Sequence, residues 1–277
     1  MSEGVQAATR TVEVIAEIGE NHVGDLARAE EMVRRAAAAG ADVVKFQSYR
    51  GVDVADDDPE KDWFSQVELS DDAHRHLLEV AREQGVEFLS APFTLERARL
   101  LVEELGLRAA KVASSEMLNV PLLDYLNERC DTVYISTGLA DLDEVRVAVS
   151  HLSDVEDVCI MHCVTQYPLA DEDANLRAIT AMAEAFPERR IGYSDHTIGT
   201  MAPILAVACG ATAVEKHFTL DRSLPGTDHE LSLLPEELEA MVADIRKVEV
   251  LLGSPEKRPV PAEVEIREFV RGRFPKE

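Results

Sequence analysis

The stretch VEVIAEIGENHVGD, residues 12–25, decides the fold. An apolar run ending near Gly19 gives way to a short polar loop, and Asp25 then offers an N-cap to a helix reaching about Ala39, with Gly40 as its stop. Glu17 sits near the C-terminal end of that run. The same unit recurs along the chain. Asp42 to Gln47, Glu87 to Phe93, Ala109 to Ser115, Thr132 to Thr137, Val158 to Val164, Arg190 to Ser194 and Ala213 to Phe218 read as seven further strands, each followed by a helix-like segment. The runs are continuously apolar rather than strictly alternating, as in parallel strands buried on both faces. Eight such units in about 250 residues predict an α/β fold of the (β/α)8 TIM-barrel type over residues 1–252. Residues 253–277 read as a C-terminal tail or linker. Two connections are long for such a barrel. Residues 50–69 are irregular and acidic and carry the single tryptophan, Trp63; residues 219–234 contain LPGTDHE. Long loops at this position are often lids.

The polar residues collect where the apolar runs end, and in a closed barrel those ends share one rim, where such barrels place their active sites. His196 and His217 end neighbouring strands, seven and eight. Two imidazoles converging there can bind a divalent transition metal, with Asp195 and Glu215 expected to orient the rings; the plainer reading is that each caps its strand. Lys45 and Lys111 are two of only seven lysines and end otherwise apolar strands. A buried lysine is costly unless paired, so each is neutralised by a carboxylate such as Glu17 or Glu116 or held for an anionic ligand. Ser114, Ser136 and Ser194 add hydroxyls around the same centre, and lysines with hydroxyls make a phosphate and carboxylate cradle. Glu17 and Glu116 are acid/base candidates, because desolvation at a barrel mouth raises a carboxyl pKa. Tyr167 lies just after strand six, in reach of a substrate. Asn21 and His22 read as turn residues.

Composition narrows the partners. The net charge is −25, with 53 acidic residues against 28 lysines and arginines. Nucleic acid and anionic membranes need a basic surface and are excluded as partners. An acidic, lysine-poor surface suits a salt-rich cytoplasm or a genome favouring Arg and Ala. No apolar run approaches the roughly 20 residues of a membrane span, and the N-terminus has no apolar signal core, so a cytoplasmic location is expected. The four cysteines have no CxxC spacing and read as buried free thiols. Neither GxGxxG nor GxxxxGK[ST] occurs, against dinucleotide or P-loop binding.

The segments AEIGENHVGD (16–25), VVKFQ (43–47), SAPF (90–93), KVASSE (111–116), ISTG (135–138), HCVTQYP (162–168), GYSDHT (192–197), EKHFTLDR (215–222) and PGTDH (225–229) together resemble the sialic acid synthases, in order over residues 12 to 252. The resemblance implies a (β/α)8 barrel that condenses phosphoenolpyruvate with an open-chain N-acetylated amino sugar to a 2-keto sugar acid and phosphate. It implies a divalent ion, Mn²⁺ before Mg²⁺ or Co²⁺, on His196 and His217. Contacts to phosphoenolpyruvate follow for Lys45, Lys111, Ser114, Ser136 and Ser194. Glu17, Glu116 and Lys45 fall at the reacting centre, and Gln47, Tyr167 and Asp228 near the sugar. A homo-oligomer, in this family a dimer, is implied as well. The chain ends at Glu277 without the small C-terminal antifreeze-like domain usual in the family, which supplies an arginine to the sugar. Ala91 stands where a threonine often helps bind phosphoenolpyruvate, and Thr165 where some members have asparagine. These departures leave the acceptor open: an N-acetylated amino sugar, a legionaminic- or pseudaminic-type precursor, a spore-coat sugar or another aldehyde. A non-catalytic sugar-phosphate-binding barrel is the remaining alternative.

Overall fold

A computed structural model describes residues 12–274 of the chain. Eight parallel strands, β1 (Glu13–Gly19), β2 (Val43–Ser48), β3 (Glu87–Pro92), β4 (Ala109–Val112), β5 (Thr132–Ser136), β6 (Asp157–Cys163), β7 (Arg190–Asp195) and β8 (Ala213–His217), follow one another around a nearly closed barrel. Ladders join every neighbour from β3 through β1 and β8 to β4, and β3 packs against β4 to complete the ring. The expected (β/α)8 barrel is the fold.

Five of the helices between them begin where the sequence supplies a side-chain cap. Helix α1 (Leu26–Ala38) starts on Asp25, whose carboxylate accepts from the Arg28 amide. Next come α2 (Lys61–Val67), a short helix inside the segment expected to be irregular, and α3 (Asp71–Gln84), capped by Ser70 and stopped by Gly85 in the left-handed region. Helix α4 (Leu95–Arg99) is capped by Thr94 and widens into a π-helical turn at Leu100–Glu104, with the Leu105 amide reaching back to Leu100. Then follow α5 (Val120–Asn127), α6 (Leu142–Ser150) with a capping box between Asp141 and Glu144, α7 (Arg177–Ala185), α8 (Met201–Ala208) and α9 (Pro235–Leu252). An unfilled N-cap leaves amide donors unpaired, and such a side-chain cap is worth about 1 kcal/mol. The tail carries one more helix, α10 (Pro261–Gly272), none of whose residues is buried. No helix among the described residues is long and apolar enough to cross a membrane.

Successive side chains on a strand point to opposite faces. On β1, Val14, Ala16 and Ile18 face outward into the large core shared with the helices. Ile15 faces inward, where with Val43, Leu89, Tyr134, Cys159, Met161 and Ala213 it forms a separate apolar plug inside the barrel. The period of two therefore operates, although hydrophobicity alone hid it: both faces are buried, so both are apolar until the inward face reaches the C-terminal end. Two residues beyond the plug on the same face come Glu17, Lys45, Ser136, Cys163 and Glu215. Cys130, Cys159 and Cys163 are buried and Cys209 half-buried, all as free thiols.

Candidate active site

The inward-facing ends of the strands open into a cavity of about 450 Å³ at the C-terminal end of the barrel. Its floor is ionic. The Lys45 ammonium lies 2.9 Å from Glu17 Oε2 and 3.5 Å from Glu215 Oε1. Lys111 lies 3.4 Å from the same Glu215 oxygen and donates to Ser136 Oγ at 2.7 Å, while Ser194 Oγ donates to Glu215 Oε1 at 2.9 Å. These side chains are almost wholly buried. One carboxylate oxygen thus serves two ammonium groups and a hydroxyl, while Glu215 Oε2 is buried with no hydrogen-bond partner.

Burial penalises the charged form of every group here, and the neighbours decide who keeps a charge. Burial pushes Glu17 well above the usual carboxylate range, with Lys45 opposing and Glu215 reinforcing. Burial acts the same way on Glu215, but Lys111 and Lys45 outweigh it and hold that carboxyl well below the usual range. At Lys45 the two carboxylates overcome burial and raise the pKa, whereas at Lys111 burial wins and lowers it. Ser114 Oγ accepts from the Gly138 amide at 3.1 Å on the same side. Gly138 is required there, since a Cβ would lie 2.2 Å from Thr165 Oγ1 and 2.7 Å from Ser114 Oγ.

Above the floor stand the two imidazoles, with ring centroids 5.4 Å apart. His196 Nδ1–H donates to the Val164 carbonyl at 2.7 Å, which leaves Nε2 with its lone pair. His217 Nδ1 lies 3.4 Å from Asp228 Oδ2 without a hydrogen bond. Burial, and then the adjoining His217 ring, push His196 down to about 4; burial, and then Lys45, push His217 to about 3, so both are neutral at physiological pH. A buried, neutral imidazole with a free nitrogen is the donor a divalent ion takes, so the pair fits a metal, with the tautomer fixed at His196 alone. Among the described residues no group of three or more His, Cys, Asp or Glu is arranged to hold one. The Tyr167 ring lies 4.0 Å from the His196 ring and lines the cavity with Gln47 and Asp228.

The structure brings together eleven of the twelve residues singled out in the sequence: Glu17, Lys45, Gln47, Lys111, Ser114, Ser136, Tyr167, Ser194, His196, His217 and Asp228 all line the cavity. Glu116 does not. It lies in the 3-10 turn Ser114–Glu116, half-buried, and its carboxylate accepts from Asn119 Nδ2 at 2.7 Å beside the start of α5. The expectation that Asp195 and Glu215 orient the imidazoles is also corrected. Asp195 faces away from the cavity and pairs with Lys216 at 2.6 Å, Tyr193 and Thr197, and Glu215 belongs to the floor. Strand parity explains both: Asp195 and Lys216 share the outward face, whereas Glu215 and His217 share the inward one. Asn21, read as a turn residue, is buried and donates to the Phe218 carbonyl and to Ser232 Oγ, both at 2.9 Å, tying the first loop to the last.

The rim added a residue that the sequence did not single out. Glu20 accepts from Trp63 Nε1 at 2.6 Å and from the Tyr49 hydroxyl at 3.0 Å. Burial first, and then the carboxylates of Asp228 and Glu60, push it up to about 7. No local signal marks Glu20, because its partners come from a loop about 40 residues away.

The sequence matches the NeuB family over residues 32–257. It is 39% identical to the N,N'-diacetyllegionaminic acid synthase of Legionella pneumophila, over 96% of this chain and 80% of that protein. It is 36% identical to the human N-acetylneuraminate-9-phosphate synthase, over 92% of this chain and 75% of that one. Among solved structures, the N-acetylneuraminic acid (sialic acid) synthetase of Leptospira borgpetersenii in complex with citrate superposes with a TM-score of 0.89 at 34% identity, covering 95% and 92% of the two chains.

Proposed function

The chain belongs to the NeuB family of phosphoenolpyruvate-dependent condensing synthases, and from that premise we propose that it joins phosphoenolpyruvate to an open-chain N-acetylated amino sugar, giving a 2-keto sugar acid and inorganic phosphate. The observation that carries this reading is the juxtaposition, in one cavity, of two buried lysines over-committed to a single carboxylate oxygen and two neutral imidazoles. The first is an anion subsite, the second a place for a divalent ion.

In this reading Lys45, Lys111 and Ser194 turn from Glu215 toward the carboxylate and phosphate of phosphoenolpyruvate, with Ser136 and Ser114 beside them. C3 of phosphoenolpyruvate attacks the acceptor aldehyde, water adds at C2, and phosphate departs with cleavage of the C2–O bond. A divalent ion on His196 and His217, Mn²⁺ by preference, would supply Lewis-acid polarisation of the aldehyde. Glu17, whose pKa burial raises, is suited to take the proton from the attacking water near neutral pH, and Lys45 faces the charge that develops. Gln47, Tyr167 and Asp228 would meet the sugar. Glu116 is held by Asn119 beside the start of α5 and does not line the cavity.

The test is phosphate release from phosphoenolpyruvate on adding a panel of amino-sugar acceptors, with the metal content of the protein measured in parallel. Acceptor-dependent release is expected. A His196→Ala or His217→Ala protein should lose bound divalent ion, and unchanged metal stoichiometry in both would remove the metal assignment. Phosphate-free mixtures with every acceptor would leave the non-catalytic reading.

A further inference from the structure

We propose that the buried ion pair of Asp195 and Lys216, on the outward face of β7 and β8, is a positioning device for the two imidazoles: it fixes the backbone on both sides of His196 and so sets that ring against His217. The proposal rests on the metal reading above and adds to it two residues that do not line the cavity.

The ladder between β7 and β8 ends at this pair. Tyr193 is in register with Val214, Ser194 with Glu215 and Asp195 with Lys216. His217 is the last residue of β8, but His196 lies just past the end of β7. Ladder bonds therefore hold Ser194 beside Glu215, and something else must hold His196 beside His217. From the far side the Leu169 amide donates to the His196 carbonyl at 2.8 Å, which ties His196 to the loop after β6 rather than to β8. The tie to β8 runs through the outward face. Asp195 Oδ1 accepts from the Thr197 amide at 3.0 Å and from the Tyr193 hydroxyl at 2.8 Å. Asp195 Oδ2 accepts from the Thr197 hydroxyl at 3.1 Å and from the Lys216 ammonium at 2.6 Å. Lys216 donates also to the Thr197 carbonyl. Thr197 is thus gripped at its amide, its hydroxyl and its carbonyl, and His196 is the residue between it and Asp195. The pair acts on the chain that carries the rings, from the opposite face.

Stability alone does not account for such a pair. Asp195 and Lys216 are wholly buried. The cost of taking two charges out of water offsets most of their attraction, so apolar residues of similar volume often serve as well. What apolar residues cannot supply is direction. Each Asp195 oxygen has two donors, and three of the four belong to Thr197 and Lys216, so Thr197 has one position relative to β8. His196 then meets the Val164 carbonyl with Nδ1–H at 2.7 Å, which leaves Nε2 free. A small drift of the His196 backbone would break that bond and admit the other tautomer, in which Nε2 carries the proton and has no lone pair for an ion.

The experiment uses the full 277-residue chain carrying Asp195→Asn together with Lys216→Met, which removes both buried charges at once and leaves neither unpaired. Metal-stripped protein is titrated with Mn²⁺ and, separately, with phosphoenolpyruvate, and the ring-nitrogen NMR shifts of His196 are read without metal. We expect Mn²⁺ affinity to fall by about tenfold, as when a group behind a metal ligand is lost. Phosphoenolpyruvate affinity should hold, because Ser194 and Glu215 form a regular rung of the ladder. The His196 ring should lose its single Nδ1–H form. Unchanged Mn²⁺ affinity and an unchanged tautomer in the folded variant would overturn the proposal and leave the synthase reading standing. An equal loss of both affinities would overturn it too, since a pair that only supports the fold does not discriminate between ligands. If the double variant does not fold, Thr197→Val removes just the hydroxyl bond to Asp195. Its Mn²⁺ affinity should fall by roughly threefold, and an unmoved affinity with an unmoved ring signal would be equally fatal. The ring signals need no metal: a wild type that takes up no Mn²⁺ would overturn the metal reading, while the His196 tautomer would still decide the clamp.

Discussion

The interior of this barrel carries charge at both ends, and the two clusters are built differently. At the N-terminal end Arg190 donates to Asp157 at 2.7 Å and to Glu13 at 2.9 Å, while the Tyr134 hydroxyl closes on the same Glu13 oxygen at 2.7 Å. There one guanidinium, geometrically suited to two carboxylates, lies between them. At the C-terminal end two point-charge lysines and a serine converge on one oxygen of Glu215 while the other oxygen has no partner. The contrast is between a cluster whose planar cation is directed to both acceptors and one whose donors crowd onto a single acceptor oxygen. Only the second has donors to give to a ligand.

That contrast can be broken most forcefully at its centre. Glu215→Ala removes the carboxylate that Lys45 and Lys111 share and leaves two buried ammonium groups side by side. Breaking a buried pair from one side costs about 3–5 kcal/mol. For a domain of this size that lowers the melting temperature by roughly 10 °C. A melting temperature within about 2 °C of the wild type would mean the floor is not electrostatically coupled.

Next in size is Lys111→Ala. A charge-assisted contact to an anion is worth roughly 1.5–3 kcal/mol, so phosphoenolpyruvate affinity should fall by about 10- to 150-fold, and acceptor affinity far less. Isothermal titration of the folded variant decides; unaltered affinity for phosphoenolpyruvate would make the lysine structural only. The matching change at the other end, Arg190→Met, takes the cation from between Glu13 and Asp157. That cluster is partly exposed, so we expect a loss of only about 1–2 kcal/mol in urea unfolding and no change in phosphoenolpyruvate binding. A binding defect as large as that of Lys111→Ala would erase the distinction between the two ends.

The effect at the rim is a pH dependence. Glu20 has its folded pKa raised from 4.5 to about 7, so between those values the folded state binds more protons than the unfolded chain. Its stabilising contribution is complete below pH 4.5 and is lost as pH rises through 7. Glu20→Gln cannot titrate, so its stability relative to the wild type should improve across that window and level off above it. Urea midpoints taken at a series of pH values would show this, and a difference that stays flat would place the Glu20 carboxyl in an ordinary solvated setting.

Much of the site was legible because barrel geometry turns sequence position into spatial position. A lysine or histidine at the C-terminal end of an apolar run must lie on the rim, so Lys45, Lys111, His196 and His217 could be grouped although they span more than 170 residues. Strand faces were harder. Where both faces are buried, apolarity carries no parity, and Asp195 and Glu215 were therefore assigned to one role when they point in opposite directions. Glu116 stands apart for a different reason: β4 ends at Val112, and the 3-10 turn after it sets the Glu116 carboxylate against Asn119.

The sequence by itself determined the repeat of eight strand–helix units, the caps that start half of the helices, and the collection of lysines, serines and imidazoles at one end. These follow from local periodicity and from the cost of burying polar groups, which are properties of short stretches of chain. Only the tertiary structure decided that Glu215 anchors both lysines, that Asn21 ties the first loop to the last, and that Trp63 and Tyr49 hold Glu20 on the rim. Those contacts join residues between about 30 and 210 positions apart. Their geometry is set by closure of the barrel and packing of its loops, to which no single segment holds the information.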